Sequence, residues 1–167
     1  MSASFDFGGR VVLVTGACGA LGSAVASAFA DAGATVCGTD VVAPDDEHAL
    51  VDPDVLDYYR GDFTDEADVS RVIGDVVETH GRLDHLCTVA GTWRGGTPIH
   101  ETDVGTFDLL FAVNLKTAFL ASKHALPHLQ AAGGTVVSVS ARSSLSGGEG
   151  DGPYRASKAG VPLLTET

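Results

Sequence analysis

Residues Val11 to Gly22 read VVLVTGACGALG. Val11–Thr15 is a continuous apolar run, the pattern of a strand buried on both faces. A glycine-rich turn follows, and then a helical pattern with Leu21, Ala24, Val25, Ala28 and Phe29 at i, i+3, i+4, i+7 and i+8. Gly33 is a natural stop for that helix. A buried strand, a glycine turn and a helix in this order form a place where a dinucleotide pyrophosphate can bind. Glycine lets the backbone approach the phosphates, and the helix N-terminus supplies free N–H groups and the positive end of its dipole. The candidate contacts in the turn are Gly16, Gly19, Ala20, Leu21 and Gly22.

Outward from this unit, strands and helices alternate. Thr35–Thr39 reads as a second strand ending at Asp40, and residues 43–57 as an acidic loop. Asp57–Gly61 reads as a third strand. Thr64 is placed to cap a helix with the stripe Val69, Val72, Ile73, Val76 and Val77, stopped by Gly81. Leu83–Ala90 reads as a fourth strand. A long helix is predicted from about Thr102 to about Gln130, with Pro127 bending or interrupting its end. Thr135–Ser140 reads as a fifth strand, and a last helix contains Tyr154 to Leu164. This alternation predicts an α/β fold, a doubly wound parallel sheet with right-handed crossovers. No repeat or linker divides the chain, so residues 1–167 are expected to form a single domain.

Composition narrows the function. The chain has 167 residues, 44% of them apolar, and a net charge of −12. That charge argues against a phosphate-backbone partner, which needs clustered Lys and Arg, so no nucleic acid is expected. No apolar run approaches the ~20 residues of a membrane span, and MSASFDFGGR lacks the basic and apolar regions of a signal peptide. Cys18, Cys37 and Cys87 sit in Gly/Ala/Val-rich segments and suggest reduced thiols in a cytoplasmic protein. Many carboxylates with little Lys point to a halophilic source, where salt screens self-repulsion.

Three further features suggest chemistry. Asp40 ends the second strand 18 residues beyond Gly22, near the spacing of an acid that bonds ribose hydroxyls. Its carboxylate would repel a 2′-phosphate, and no Arg or Lys stands beside it in sequence, so NAD is favoured over NADP. Val41 follows it, and Asp62-Phe63 and Ala90-Gly91 close the third and fourth strands at the same carboxyl edge. Tyr154 and Lys158 are four apart on one helix face, where an ammonium lowers the phenol pKa and suits the tyrosine to acid/base work. Asn114 shares a stripe with Phe107, Phe111 and Ala118, so its amide is expected to be buried and bonded. His124 and His128 have the i, i+4 spacing of two metal ligands without an evident third, so no metal is expected. Cys18 lies at a helix N-terminus, where a thiol pKa can fall, but it is expected to pack in the phosphate turn.

These residues together resemble the short-chain dehydrogenase/reductase family. The resemblance rests on T15-G16-x-x-G19-x-x-G22, Asp40, Asp62, A90-G91, Asn114 and Y154-x-x-x-K158, in the family's order over nearly the whole chain. It implies a Rossmann fold and hydride transfer between a nicotinamide and a carbonyl/alcohol substrate. Tyr154 would exchange the proton, Lys158 would hold the nicotinamide ribose and tune Tyr154, and Asn114 would anchor a water in a proton relay. A homodimer or homotetramer is common in the family. The chain departs from the pattern in several places. T88-V89-A90-G91 replaces the usual N-N-A-G, and Ala20 stands where many members have glycine. Ala141, thirteen residues before Tyr154, occupies the position of the serine that polarises the substrate carbonyl. Ser140 should face away from it, and Ser143 reaches the site only if the loop bends. The A-R-S-S-L-x-G-G run resembles the dihydropteridine-reductase-like branch, which also lacks the serine. The sequence ends at Thr167 within the last helix, so C-terminal strands are expected to be missing from this chain. Trp93 and Arg94 are placed to line the mouth of the site. Two alternatives stand beside the reductase: a nucleotide-binding protein without catalysis, and an extended-type sugar-nucleotide epimerase.

Overall fold

The computed structural model describes residues 5–166. Residues 1–4 of the MSASFDFGGR segment and the final residue, Thr167, lie outside it. Five strands form one parallel sheet: β1 (Val11–Thr15), β2 (Thr35–Asp40), β3 (Asp57–Arg60), β4 (His85–Thr88) and β5 (Thr135–Ser138), in the order β3-β2-β1-β4-β5. The chain steps outward from β1 to β3 and then returns to the other side of β1. The reversal leaves a crevice between β1 and β4 at the carboxyl edge, where ligands of open α/β sheets bind. The Rossmann-type architecture expected from the alternation is the one observed.

Helices cover both faces. α1 (Ala20–Asp31) packs on β1 and β2. α2 (Glu66–His80) buries Val69, Val72, Ile73 and Val76 against Leu13 and Leu86 of the opposite face. Each of these side chains contributes about 1.5–3 kcal/mol by leaving water. Asp65, not Thr64, caps α2, accepting the N–H groups of Ala67 and Asp68, while the Thr64 hydroxyl turns back to Asp62. Gly81 ends the helix in the left-handed region, as expected. The apolar stripe read along α1 is borne out in part, since Val25 and Phe29 pack against the core. Gly22, Ser23 and Ala26 face the sheet and Leu21 faces solvent, because small residues let this helix approach the strands closely.

The long helix has three parts: α3 (Val104–Phe111), a π turn over Ala112–Lys116, and α4 (Thr117–Ala132). The Thr117 N–H bonds Ala112 O instead of Val113 O, and the Thr117 hydroxyl takes over the Val113 carbonyl at 2.7 Å. The expected stripe therefore splits. Asn114 and Ala118 are buried, whereas Phe107 and Phe111 stack on each other on the outer side, ring centroids 4.3 Å apart. Pro127 does not end α4. The helix runs on to Ala132, since Ala125 and Leu129 on either side are anchored in the core. Val104–Ala132 spans 29 residues and is by length and composition apolar enough to cross a membrane, contrary to the reading of the sequence. Its apolar content has a second origin: Leu120, Ala121, Ala125 and Leu129 pack into the core beneath the sheet.

β3 ends one residue earlier than predicted, and β4 and β5 two. β4 stops at Thr88 because the N–H groups of Val89 and Ala90 leave the ladder for the Thr15 hydroxyl oxygen, 3.1 Å from each. β5 stops at Ser138, where Val139 N–H makes the last bond to Thr88 O. α5 (Gly152–Thr165) then packs against α3, the π turn and β5. At the opposite edge of the sheet the fully buried Asp84 accepts Arg10 Nη1 at 2.9 Å, Arg82 Nε at 2.7 Å and Val11 N–H at 3.0 Å. Burial alone would raise its pKa, but Arg82, the Val11 N–H and Arg10 outweigh it and hold the carboxyl far below the usual range.

Candidate active site

The β1–α1 turn shows which glycines the chain itself requires. Gly16 has φ +67°, and a Cβ there would lie 2.8 Å from the Ala90 Cα. A Cβ on Gly22 would run into the Gly16 carbonyl. Gly19 differs: its nearest neighbour would be Gly16 O at an ordinary 3.5 Å, and its φ of −79° suits any residue. Its bare backbone instead faces the open side. No side chain caps α1 and no acid lies in its first turn, so the amides there are free for an anion.

An open cleft of about 570 Å³ runs along the carboxyl edge of the sheet. Gly16, Gly19, Ala20, Leu21, Gly22, Asp40, Val41, Asp62, Phe63, Ala90 and Gly91 all line it. Phe63 turns its ring into the core beside α2, so it presents mainly backbone to the cleft. Leu109, Ala112, Val113 and Thr117 also line the cleft, and sequence reading missed them. Ala112 and Val113 come from the π turn, and Leu109 and Thr117 from the helical residues on either side of it; the local widening left no periodic signal.

Asp40 is tightly seated. Its carboxylate accepts Cys18 N–H at 3.0 Å and Val42 N–H at 3.2 Å. The Tyr58 hydroxyl reaches over from β3 to the carbonyls of Asp40 at 2.7 Å and Val42 at 2.8 Å, and the Cys18 thiol also donates to Val42 O. Cys18 is buried in the turn, as expected, and burial, then Asp40 and Asp46, push its thiol up to about 11, against the activation a helix N-terminus can give. Burial pushes Tyr58 up to about 12, reinforced by Cys18 and Asp40 and opposed by the Arg60 guanidinium. The expectation that no cation stands beside Asp40 holds only along the chain. Across the β2–β3 ladder its register partner is Arg60.

At the far end of the cleft, Lys158 is 5% exposed and donates from Nζ to Val139 O at 2.9 Å. Its burial lowers the ammonium pKa. A Cβ on Gly91 would sit 3.0 Å from Lys158 Nζ and 3.1 Å from Asn114 Oδ1, so a bare glycine is what admits both groups to the cleft's edge. Asn114 is 1% exposed, accepts Thr92 N–H at 2.8 Å and donates to Ser157 Oγ at 3.1 Å. Ser157 in turn donates to Tyr154 O at 2.8 Å. Tyr154 is half-buried one turn before Lys158. Asn114, Lys158 and the backbone of Tyr154 are thus gathered where α5 crosses the π turn.

The serines around Ala141 are partly committed. Ser140 Oγ donates to Lys158 O at 2.8 Å and Ser144 Oγ to Ala141 O at 2.6 Å. Ser143 offers its carbonyl to Arg155 Nη1, which also bonds Ser146 O, while Nη2 approaches Asp151. Arg155 therefore ties the serine loop to the helix bearing Tyr154. Sequence reading passed over it because only the folded loop brings those carbonyls together. Trp93 and Arg94 are exposed on the loop after β4. His124 turns to Glu66 at 3.1 Å, beside Lys123, and His128 lies in a separate groove with Val77 and Arg82. Among the described residues no group of His, Cys, Asp and Glu is arranged to hold a metal ion.

Comparison with known proteins agrees with this geometry. Residues 10–167 match the family described as short chain dehydrogenase. The chain is 36% identical over 165 residues to a cis-4-hydroxycyclohexanecarboxylate dehydrogenase of Sinomonas cyclohexanicum, covering 96% of this chain and 66% of the relative. It is 32% identical over 170 residues to an L-fucose dehydrogenase of Oryctolagus cuniculus, covering 99% of this chain and 58% of the relative. Among solved structures, the ligand-free aldohexose dehydrogenase of Thermoplasma acidophilum superposes with a TM-score of 0.85 at 27% identity, covering 97% of this chain and 60% of that one. The chain thus spans about three-fifths to two-thirds of the length of these relatives. With the sheet order, the glycine turn and these matches in agreement, the chain belongs to the short-chain dehydrogenase family of oxidoreductases.

Proposed function

We propose that this chain forms the nucleotide and proton-transfer part of an NAD-dependent oxidoreductase acting on a carbonyl/alcohol substrate. The observation that carries the reading is Lys158, a buried ammonium reaching the end of the nucleotide cleft through Gly91, one turn from Tyr154. Bound NAD(H) would supply or accept the hydride. The chain's own residues do the rest. The uncapped first turn of α1 receives the pyrophosphate, with Gly19 leaving room for it. Asp40, oriented by Cys18 and Val42 N–H groups, accepts from the ribose hydroxyls and repels a 2′-phosphate. Tyr154 gives a proton to the carbonyl oxygen or takes one from the alcohol. Asn114 holds the Thr92 backbone and, through Ser157, the carbonyl of Tyr154 itself.

Binding of NADH and NADPH, followed by fluorescence, tests the first half. Turnover against a panel that starts from the compounds in the relatives' names, cis-4-hydroxycyclohexanecarboxylate, L-fucose and an aldohexose, tests the second. Tyr154→Phe should keep NADH binding and lose about 10²–10⁴ in turnover, the usual worth of a positioned acid/base. Full turnover in that variant would remove Tyr154 from the reaction, and tighter binding of NADPH than NADH would remove the role given to Asp40. Ala141 favours a second reading, a nucleotide-binding protein without turnover, which predicts NADH binding and no activity on any substrate. We also propose self-association through the long helix, where Phe107, Phe119 and Leu126 are 43%, 46% and 43% exposed. Light scattering at low and high salt tests it.

A further inference from the structure

We propose that Arg60 is a second determinant of nucleotide choice, poised to hold a 2′-phosphate that Asp40 keeps out. Asp40 and Arg60 are register partners at the carboxyl ends of β2 and β3. Neighbouring strands lie about 4.8 Å apart, and partners project from the same face of the sheet. Tyr58, two residues before Arg60 and so on that same face, confirms the direction by bonding the carbonyls of Asp40 and Val42. Arg60 is exposed and makes no ion pair among the described residues. The neighbouring Arg71 is committed, bonding Arg60 O at 2.8 Å and Asp68 at 2.9 Å and approaching Asp75. Arg60 lies in a shallow groove that shares Val41, Gly61 and Asp62 with the nucleotide cleft, so the groove opens where the ribose would meet Asp40. A guanidinium there matches a phosphate in charge and geometry. The two side chains then set opposite preferences at one ribose position, and the acid, being nearer the turn, prevails.

This inference rests on the cleft's holding an adenosine ribose beside Asp40. The test is calorimetric binding of 5′-AMP and 2′,5′-ADP to the wild type, Asp40→Asn, Arg60→Ala and the double variant, each checked for native circular dichroism. The quantity read is the ratio of the two dissociation constants, 2′,5′-ADP over 5′-AMP. Asp40→Asn should lower this ratio by about tenfold or more, and adding Arg60→Ala should return most of that change, as expected of a bidentate charge-assisted contact. Arg60→Lys in the Asp40→Asn background should keep part of the gain, because an ammonium supplies charge without the fork. An equal fall in the ratio with and without Arg60, or no fall at all, overturns the proposal. If the wild type binds neither nucleotide at millimolar concentration, the nucleotide reading itself fails and this inference with it.

Discussion

Asn114→Ala should destabilise the protein by about 2–4 kcal/mol, and the figure follows from its contacts. The amide is 1% exposed, so nothing replaces it from solvent. Thr92 N–H, on a half-buried residue, loses its acceptor, which costs about 1–3 kcal/mol. The lost amide leaves a void worth about 1 kcal/mol more. Ser157 adds little, because its hydroxyl keeps the bond to Tyr154 O. For a domain of this size each kcal/mol lowers Tm by roughly 2–4 °C, so the melting temperature should fall by on the order of 10 °C. Differential scanning calorimetry and urea melts of the 167-residue chain measure it. Ser157→Ala should cost only about 1 kcal/mol, and the double-mutant cycle should show coupling of at least about 0.5 kcal/mol. A variant melting within about 2 °C of the parent, or an additive cycle, would refute the account of Asn114 as the peg joining the loop after β4 to α5.

Asp84→Asn should lower stability at pH 7, by about 2–3 kcal/mol, since it weakens several charge-assisted bonds while both guanidiniums keep contact with water. The sign with pH is fixed. The folded carboxyl titrates below its unfolded value, so its contribution is complete above that value and is lost as pH falls below about 4. Urea melts of both proteins should converge at low pH, and a gap that widens there would contradict this. Burial raises Cys18 to about 11, Cys37 to about 12 and Cys87 to about 11, with nearby acids adding to the first two. Iodoacetamide at pH 7.5 should therefore label the thiols slowly in the native state and quickly in urea, as mass spectrometry would show. Gly19→Ala should fold normally yet bind NADH more weakly, whereas Gly22→Ala should fail already in the turn itself. Comparing circular dichroism with NADH binding separates the two, and equal loss of fold in both would show that the chain rather than the ligand requires Gly19.

What could be read in advance was whatever depends on neighbours in sequence. VVLVT followed by a glycine turn and a helix announced β1, the turn and α1. The distance to Asp40 and the Y-x-x-x-K spacing needed only a ruler along the chain. What could not be read depends on the ladder or on local competition between groups. Arg60 becomes a neighbour of Asp40 only once β3 pairs with β2. β4 ends early because the Thr15 hydroxyl captures two amides from 74 and 75 residues away. Asp65 displaced Thr64 as the cap because Asp62 had already engaged the threonine hydroxyl. On α1 the apolar spacing marks Val25 and Phe29, which pack on the core, but not Gly22, Ser23 and Ala26, which closeness to the sheet buries most deeply. Asp84 carries no sequence mark of its burial: Arg82 stands two residues away, but Arg10 and the Val11 N–H meet it only when β1 and β4 lie side by side.

The π turn at Ala112–Lys116 amounts to one residue too many for the length of helix it occupies. An extra residue rotates everything before it by about 100° relative to everything after it, given 3.6 residues per turn. The two halves are thereby out of phase. α4 keeps its angular setting against the sheet through Leu120, Ala121, Ala125 and Leu129, while Leu109, Ala112 and Val113 are turned toward the cleft. Substitutions that reshape the wall beside a ligand are thus mechanically insulated from those that hold the domain together, although both are written on a single rod. Removing one residue between Phe111 and Thr117 would restore an even helix, and in doing so it would swing the wall away and withdraw Asn114 from Thr92.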